Sequence, residues 1–372
     1  VIASLKGFDW GDFLRRPALE PPPLEVLNTI SGMPVLITGA GGSIGSALAL
    51  RLANLAPPKL LLLESAESNL FKLQRAPAFD TVAALRAAAP AKFILGNAAD
   101  RALIEELFAA HAPRIVFHAA AHKHVPLLEQ QPLAAVANNI FATETVAAAA
   151  ALSGARVVLL STDKAVAPAS VMGATKRVAE EIVLASGGTV LRLGNVLAST
   201  GSVTEVFANQ IARGGPLTIT DPAARRYFLT LDEAVNLLLF ASVYPRSSAI
   251  LAPALFTDYD VATLAHFMAG QLAPGREIPL RFTGLRPGDK LTERLWSDFD
   301  SAHPAGIGNL VSIQSNRLTH TQLESGLAAL HATVEDRDIA GALTQLRSLV
   351  SDFRPSQSVL ALARQFDPRV CA

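Results

Sequence analysis

The sequence holds 372 residues, and its 32 Lys plus Arg balance 32 Asp plus Glu, which excludes a global field for nucleic acid or an anionic membrane and leaves any anionic ligand to be held locally. That length exceeds one typical domain and suits a large cofactor lobe joined to a smaller substrate lobe. Cys371 is the only cysteine, so an internal disulfide framework and a cysteine-based metal site are excluded, a reducing cytoplasm is expected, and redox chemistry would need a cofactor.

In chain order, residues 1–30 carry Pro17 and the run Pro21-Pro22-Pro23 and read as an extended lead-in with little core-forming capacity. The chain opens at Val1 with no initiator Met and no signal-peptide pattern, so a longer parent protein is expected. From Ile30 onward, apolar runs at residues 34–38, 59–64, 92–95, 114–118, 156–161 and 189–193 alternate with helical stretches. Six such strands predict an α/β fold on a parallel, doubly wound, Rossmann-type sheet spanning residues 31–200. Their near-continuous Val, Ile and Leu suit strands covered on both faces. The Ala-rich run 146–152 is far short of the ~20 residues a bilayer span needs, so the chain as given reads as soluble. Residues 201–300 change to scattered helices, such as 232–243 and 261–272, with short apolar segments near 217–220 and 278–282; they predict a smaller C-terminal substrate lobe, with segments free to return to the sheet domain. Residues 301–372 read as a helical extension with amphipathic stretches at 320–331 and 339–350.

Directly after the first strand comes Thr38-Gly39-Ala40-Gly41-Gly42-Ser43-Ile44-Gly45, followed by a helical run. Gly39, Gly42 and Gly45, with Ser43 and Ile44 between them, let the turn bring backbone N–H groups and the helix N-terminus against a pyrophosphate. An ordinary tight turn uses the same glycines, but the strand–turn–helix order favours a dinucleotide site. The second strand ends at Glu64, twenty-five residues after Gly39, where a carboxylate can accept from an adenosine ribose diol and repel a 2′-phosphate. NAD is therefore favoured; Lys72 and Arg75 keep NADP open, and a solvated strand-end acid is the plainer alternative. After the third strand, Asn97 and Ala98 stand where an adenine edge would lie, and Asn97 offers it a donor and an acceptor.

The fourth strand runs into His118-Ala119-Ala120-Ala121-His122-Lys123-His124. Ala119, Ala120 and Ala121 allow a cofactor to approach closely, while His122, Lys123 and His124 would face a substrate. Three histidines in seven residues raise metal binding, but no carboxylate or cysteine lies at ligand spacing, so no metal site is expected; simple solvation of the cluster is the other reading. The fifth strand ends in Ser161-Thr162-Asp163-Lys164, and Met172 and Lys176 stand four residues apart on one face of the next helix.

These blocks carry a resemblance. From Phe13-Leu14-Arg15-Arg16-Pro17 through Gly284-Leu285-Arg286-Pro287-Gly288-Asp289-Lys290-Leu291 to Leu349-Val350-Ser351-Asp352-Phe353-Arg354-Pro355, the chain resembles the polysaccharide-biosynthesis family of UDP-N-acetylglucosamine 4,6-dehydratases, within the extended short-chain dehydrogenases. Most short-chain dehydrogenases place a Tyr four residues before the Lys, and its phenolate accepts the alcohol proton. Here that place is Met172, whose thioether cannot be a general base. The resemblance nonetheless implies an active enzyme, because the large, membrane-associated members of the family also have Met there. It implies that Lys176 holds the nicotinamide ribose of a tightly bound NAD, and that Thr162-Asp163-Lys164 is the catalytic triplet. In that triplet Asp163 is the acid toward the C6 hydroxyl and Lys164 the base at C5; a protonated Asp and a neutral Lys oppose their ordinary tendencies near pH 7, so burial and neighbours must shift them. Asp163, Thr162 or a water chain would accept the C4 proton.

The resemblance further implies that Asn195 and Arg226 contact the substrate diphosphate, that Val203 is among the substrate-binding residues, that Arg286 adds a second phosphate clamp, and that Asp289 meets the uridine ribose. His122, Ala198-Ser199-Thr200 and Asp289 depart from the family pattern, the segment 76–89 matches it poorly, and the His122 change bears on sugar recognition. The expected activity is dehydration of UDP-N-acetylglucosamine for surface glycan synthesis, by a self-associating enzyme whose full-length form carries N-terminal membrane helices and keeps this portion in the cytoplasm. Two other classes stay open: a UDP-sugar 4-epimerase or related nucleotide-sugar oxidoreductase, and a non-enzymatic dinucleotide-sensing protein. Epimerases normally need the Tyr that Met172 replaces, and a sensor has no use for Arg226, Arg286 and Asp289 together.

Overall fold

A computed structural model describes residues 5, 8–79, 91–255 and 257–365; Cys371 and residues 80–89 of the poorly matching segment lie outside them. Among the described residues, one sheet contains β1 (Val35–Thr38), β2 (Leu60–Glu64), β3 (Lys92–Leu95), β4 (Ile115–His118), β5 (Arg156–Thr162), β6 (Thr189–Leu193), β7 (Ala249–Pro253), β8 (Ser301–Pro304) and β9 (Leu310–Gln314). Their spatial order is β8-β9-β7-β6-β5-β4-β1-β2-β3. All pairings from β3 across to β7 are parallel, while β9 and β8 add antiparallel. This is the doubly wound α/β fold the apolar runs predict. Val35, Leu36 and Ile37 are fully buried, because helices cover both faces of the sheet and leave no solvent side for a polar alternation.

The helices that position the site are α1 (Trp10–Leu14), α2 (Leu24–Ser31), α3 (Ser43–Leu55), the helical run α4 (Pro132–Ser153) with a π-turn over Ala137–Phe141, α5 (Val171–Ala185), α6 (Leu231–Ser242), α7 (His320–Glu335) and α8 (Ile339–Leu349). By length and composition α4 is apolar enough to cross a membrane, which the shorter Ala-rich run did not suggest, but most of it is buried in the protein. Val136, Ile140, Val146 and Ala150 lie in its interior contacts.

Two segments differ from expectation. Residues 1–30 are not simply extended: the Asp9 carboxylate accepts from the Gly11 N–H at 2.8 Å and starts α1, and Phe13 packs against Phe228, Tyr259 and Phe267 at centroid distances of 5.7, 5.2 and 5.5 Å. Arg16 then clamps both oxygens of Glu233 on α6 at 2.6 and 2.9 Å, and Pro23 caps α2. Prolines limit the length of these helices, while the partners that stabilise them lie more than 200 residues away and leave no local trace. Residues 301–372 are likewise not all helical, since β8 and β9 widen the sheet beyond β7. In the smaller lobe, Leu217–Ile219 and Leu280–Phe282 pair in parallel over a core that includes Phe207, Ile211, Leu264 and Met268.

A buried ion cluster joins α5 to β5 and β6. Glu180 on α5 accepts from the Ser161 hydroxyl at 2.6 Å, from Arg192 at 2.9 and 2.7 Å, and from Arg177 at 3.0 Å. Burial alone would raise its pKa, but Arg192, Arg177 and Ser161 bring it down from 4.5 to about 2. A carboxyl that is more acidic folded than unfolded stabilises the fold above its ordinary pKa and loses that contribution as pH falls through the folded value. Glu180→Gln should therefore lower the unfolding free energy at neutral pH by on the order of 3–5 kcal/mol. In denaturant titrations its deficit against the parent should shrink between pH 4.5 and about 2; a deficit independent of pH would contradict the assignment.

Candidate active site

β1 lies between β2 and β4, so the chain leaves its C-terminal end toward opposite sides of the sheet at one point, and a crevice opens there. In register, Thr38 of β1 faces His118 of β4. Gly39 has φ +69°, and a Cβ on it would stand 2.7 Å from the Ala120 backbone, so the turn can press against the β4 exit only as glycine. A Cβ on Gly45 would be 2.1 Å from the Gly39 carbonyl oxygen. Gly42 differs: its nearest neighbour would be that same oxygen at 3.3 Å, and the protein offers nothing else within 4 Å. Gly42 is also the N-cap of α3 and supplies no side-chain cap. The amides of Ser43, Ile44 and Gly45 have no acceptor among the described residues, the first bond being Ser46 N–H to the Gly42 carbonyl at 2.8 Å. Unfilled space above Gly42 and three free amides at a helix N-terminus fit an anionic pyrophosphate.

Glu64 supports this turn from below, accepting from the Gly41 N–H and the Ala66 N–H at 2.9 Å each. Each of its oxygens retains a lone pair for a ribose diol. Asn97 is exposed and uses its side-chain oxygen to accept from the Ala99 N–H at 2.9 Å, beside buried Ala98. His118 is a wall of the crevice: its ring reaches Thr38 Oγ1 at 2.7 Å and Thr143 Oγ1 at 3.0 Å, and burial, aided by the Lys176 charge, pushes its pKa down to about 3. Its imidazole is neutral.

Beyond the crevice, β5 delivers Thr162-Asp163-Lys164, the candidate triplet, into a tight 3₁₀ turn over Asp163–Ala165. Asp163 is fully buried. Its Oδ1 accepts from Thr162 Oγ1 at 2.9 Å and from Lys164 Nζ at 3.0 Å, while Oδ2 has no partner among the described residues. Lys164 also donates to Asn195 Oδ1 at 3.2 Å and lies 3.7 Å from Glu293. Burial would lower the Lys164 pKa, but the Asp163 and Glu293 carboxylates outweigh it and hold the amine above its ordinary value. The neutral Lys164 expected from the sequence is therefore not the resting form; its surroundings favour an ammonium. On α5, Lys176 is 4% exposed with no hydrogen-bond partner among the described residues, and burial, opposed by Glu180, lowers its pKa to about 8. An unpartnered ammonium at the end of a largely buried stem fits a cofactor hydroxyl as its acceptor. Met172, one turn earlier, packs into the apolar cluster around Val171, Ile140 and Val136.

A family model described as polysaccharide biosynthesis protein matches residues 35–315. The chain belongs to that family. It is 39% identical over 302 residues to the probable polysaccharide biosynthesis protein EpsC of Bacillus subtilis, covering 76% of this chain and 48% of EpsC. It is 34% identical to the capsular polysaccharide biosynthesis protein CapD of Staphylococcus aureus, covering 82% of this chain and 52% of CapD, so it spans about half the length of both. A UDP-glucose 4-epimerase of Rickettsia canadensis is 35% identical over 75% of this chain and 82% of its own. Among solved structures, Pen from Bacillus thuringiensis superposes with TM-score 0.68 at 26% identity, covering 78% of this chain and 90% of Pen.

Within this family member, the expected substrate residues do not converge equally. Asn195 joins the triplet. Arg226 is largely buried and gives three N–H bonds to the carbonyls of Arg225, Leu291 and Lys290 at 2.7, 2.9 and 2.8 Å; it braces the 286–293 segment and retains only its remaining N–H groups for a phosphate. Arg286 and Asp289 bond to each other at 2.8 Å, so a ligand would have to re-pair them. Val203 packs against the small-lobe core. His122, Lys123 and His124 are exposed; Lys123 donates to the Thr200 carbonyl at 2.7 Å, and the Thr200 N–H donates to Ser43 Oγ at 2.8 Å.

Three site residues escaped the sequence reading. Asn139, buried in the π-turn of α4, clamps the His122 backbone from both sides at 2.8 and 3.0 Å and donates to Thr175 at 3.1 Å. An Asn pair inside an otherwise Ala-rich helix was the available signal. Glu293 and Lys290 pair at 2.7 Å, and their spacing of three residues beside the Arg-Pro-Gly-Asp block was the signal for them. The two glycines of the turn separate fold from binding. Gly45→Ala, whose Cβ would stand 2.1 Å from the Gly39 oxygen, should lower the thermal midpoint by several degrees, and Gly42→Ala, at 3.3 Å from that oxygen, by clearly less, as scanning calorimetry would show; equal losses would mean that Gly42 serves packing.

Proposed function

We propose that the chain is the catalytic portion of a nucleotide-sugar 4,6-dehydratase that uses NAD and acts on UDP-N-acetylglucosamine. The observation that carries this reading is the Asp163–Lys164 pair at the end of β5, with one carboxylate oxygen unengaged. A paired donor and acceptor on adjacent residues suits removal of a proton from one carbon and a hydroxyl from its neighbour. NAD bound in the glycine cradle would supply reversible hydride acceptance, with Glu64 on its adenosine ribose and Lys176 on its nicotinamide ribose.

The residues then divide the proton work. With a phenol absent at Met172, Asp163, whose unengaged Oδ2 is fully buried, takes the C4 hydroxyl proton through a water chain and becomes the acid. Lys164, once neutral, takes the C5 proton; Asp163 returns its proton to the departing C6 oxygen as water leaves, and Lys164 reprotonates C5. Atoms and electrons balance, because the water removed carries the C6 hydroxyl and the former C4 hydroxyl proton, and the hydride given up at C4 would return to C6 to make the methyl group. Thr162 holds Asp163 in place by donating to Oδ1.

A 4-epimerase is the second reading, favoured by the Rickettsia relative. Proton NMR of UDP-N-acetylglucosamine with the protein in deuterated water separates the two. Dehydration predicts loss of the C6 hydroxymethyl signals, a new methyl resonance and deuterium at C5; epimerisation predicts a C4 epimer with C6 intact, and an unchanged sugar despite proven dinucleotide binding rejects both for this substrate. Asp163→Asn should cut kcat by roughly 10²–10⁴ while dinucleotide affinity, read by fluorescence titration, stays near that of the parent.

A further inference from the structure

We propose that Glu293 is a positioning residue for Lys164, fixing its amine against Asp163 and setting the pH at which that amine becomes available as a base. The step it serves rests on the dehydratase reading; the electrostatic coupling does not. Glu293 is 5% exposed and reaches the catalytic turn from the segment that follows the Arg-Pro-Gly-Asp block. One of its oxygens lies 3.7 Å from Lys164 Nζ and the other 2.7 Å from Lys290 Nζ. Lys290 is itself tethered, donating to the Val166 carbonyl at 2.9 Å, so Glu293 is held between two amines and cannot swing away without abandoning one.

The groups facing Lys164 come from every element around it. Asp163 contributes a carboxylate at 3.0 Å from its own turn, Asn195 a neutral oxygen at 3.2 Å from the end of β6, and Glu293 its carboxylate at 3.7 Å. Arg226 supplies an opposing positive charge, and the two carboxylates together outweigh it and the cost of burial. Asp163 must exchange protons with the substrate, so its charge changes during the cycle. Glu293, screened from solvent and paired with Lys290, is the carboxylate that stays constant and keeps Lys164 strongly basic when Asp163 becomes protonated. A more basic amine is a more capable acceptor for a carbon-bound proton, at the cost of a higher pH for its deprotonation.

The test is competitive acetylation of Lys164 across pH in the full chain, quantified by peptide mass spectrometry, alongside the pH profile of kcat/KM. Removing an opposite charge lowers a lysine pKa, so Glu293→Gln should move the Lys164 labelling midpoint down by roughly 1–3 pH units and shift the acidic limb of kcat/KM the same way. Glu293→Asp, which keeps the charge, should restore most of the parent midpoint. An unmoved midpoint in folded Glu293→Gln overturns the proposal. Should that variant not fold, Lys290→Met decides: freeing Glu293 from its other cation should raise the Lys164 midpoint, and no movement overturns the proposal. If the parent forms no 4-keto-6-deoxy sugar, the dehydratase reading falls and the labelling midpoints still decide the role of Glu293.

Discussion

The geometry of the candidate site depends on one fully buried carboxylate, Glu180. Glu180 holds Ser161, the residue before the triplet, and Arg192, near the end of β6. Through Arg192 it also reaches the carbonyl of Leu295, to which that guanidinium donates at 3.2 Å. Arg177 on α5 completes the cluster one residue after Lys176. The β5 end, the β6 end, the helix carrying Lys176 and the segment carrying Glu293 thus share a single anionic centre. Two arginines and a hydroxyl around one carboxylate offset its desolvation, and such a cluster tolerates the loss of a member poorly.

The same fold sets two lysines to opposite tasks. Lys176 has lost water without gaining a close anion, and its proton is held loosely. Lys164 has also lost water but has two carboxylates within 4 Å, and its proton is held firmly. Met172, one turn before Lys176, belongs to neither environment: its thioether is buried in the apolar cluster with Val171, Ile140 and Val136.

Much of the sheet was legible because strands covered on both faces are written as short apolar runs, and each of the six expected from residues 34 to 193 forms. The dinucleotide turn was legible because its glycines follow a strand and open a helix. Asp163 and Lys164 are neighbours in sequence, and Asn195, thirty-one residues on, meets Lys164 at 3.2 Å. What stayed hidden depends on distant partners. The helix at Trp10–Leu14 needs Phe228, Tyr259 and Phe267; β9 is defined by a neighbour nearly sixty residues earlier; and Glu293 comes within 3.7 Å of Lys164, an approach that no local pattern announces. Arg226 carries a second bond pattern that no local signal announces, since its guanidinium braces three backbone carbonyls.

The loop around Thr200 ties the two halves of the site together. Its N–H donates to Ser43 Oγ at 2.8 Å, and its carbonyl accepts from Lys123 at 2.7 Å, so a loop from the substrate side is bonded to the first residue of α3 and to the segment after β4. Those are the two walls between which the dinucleotide reading places a pyrophosphate. Release of an anion held there would require these bonds to break, so the loop, the first residue of α3 and the segment after β4 move together or not at all.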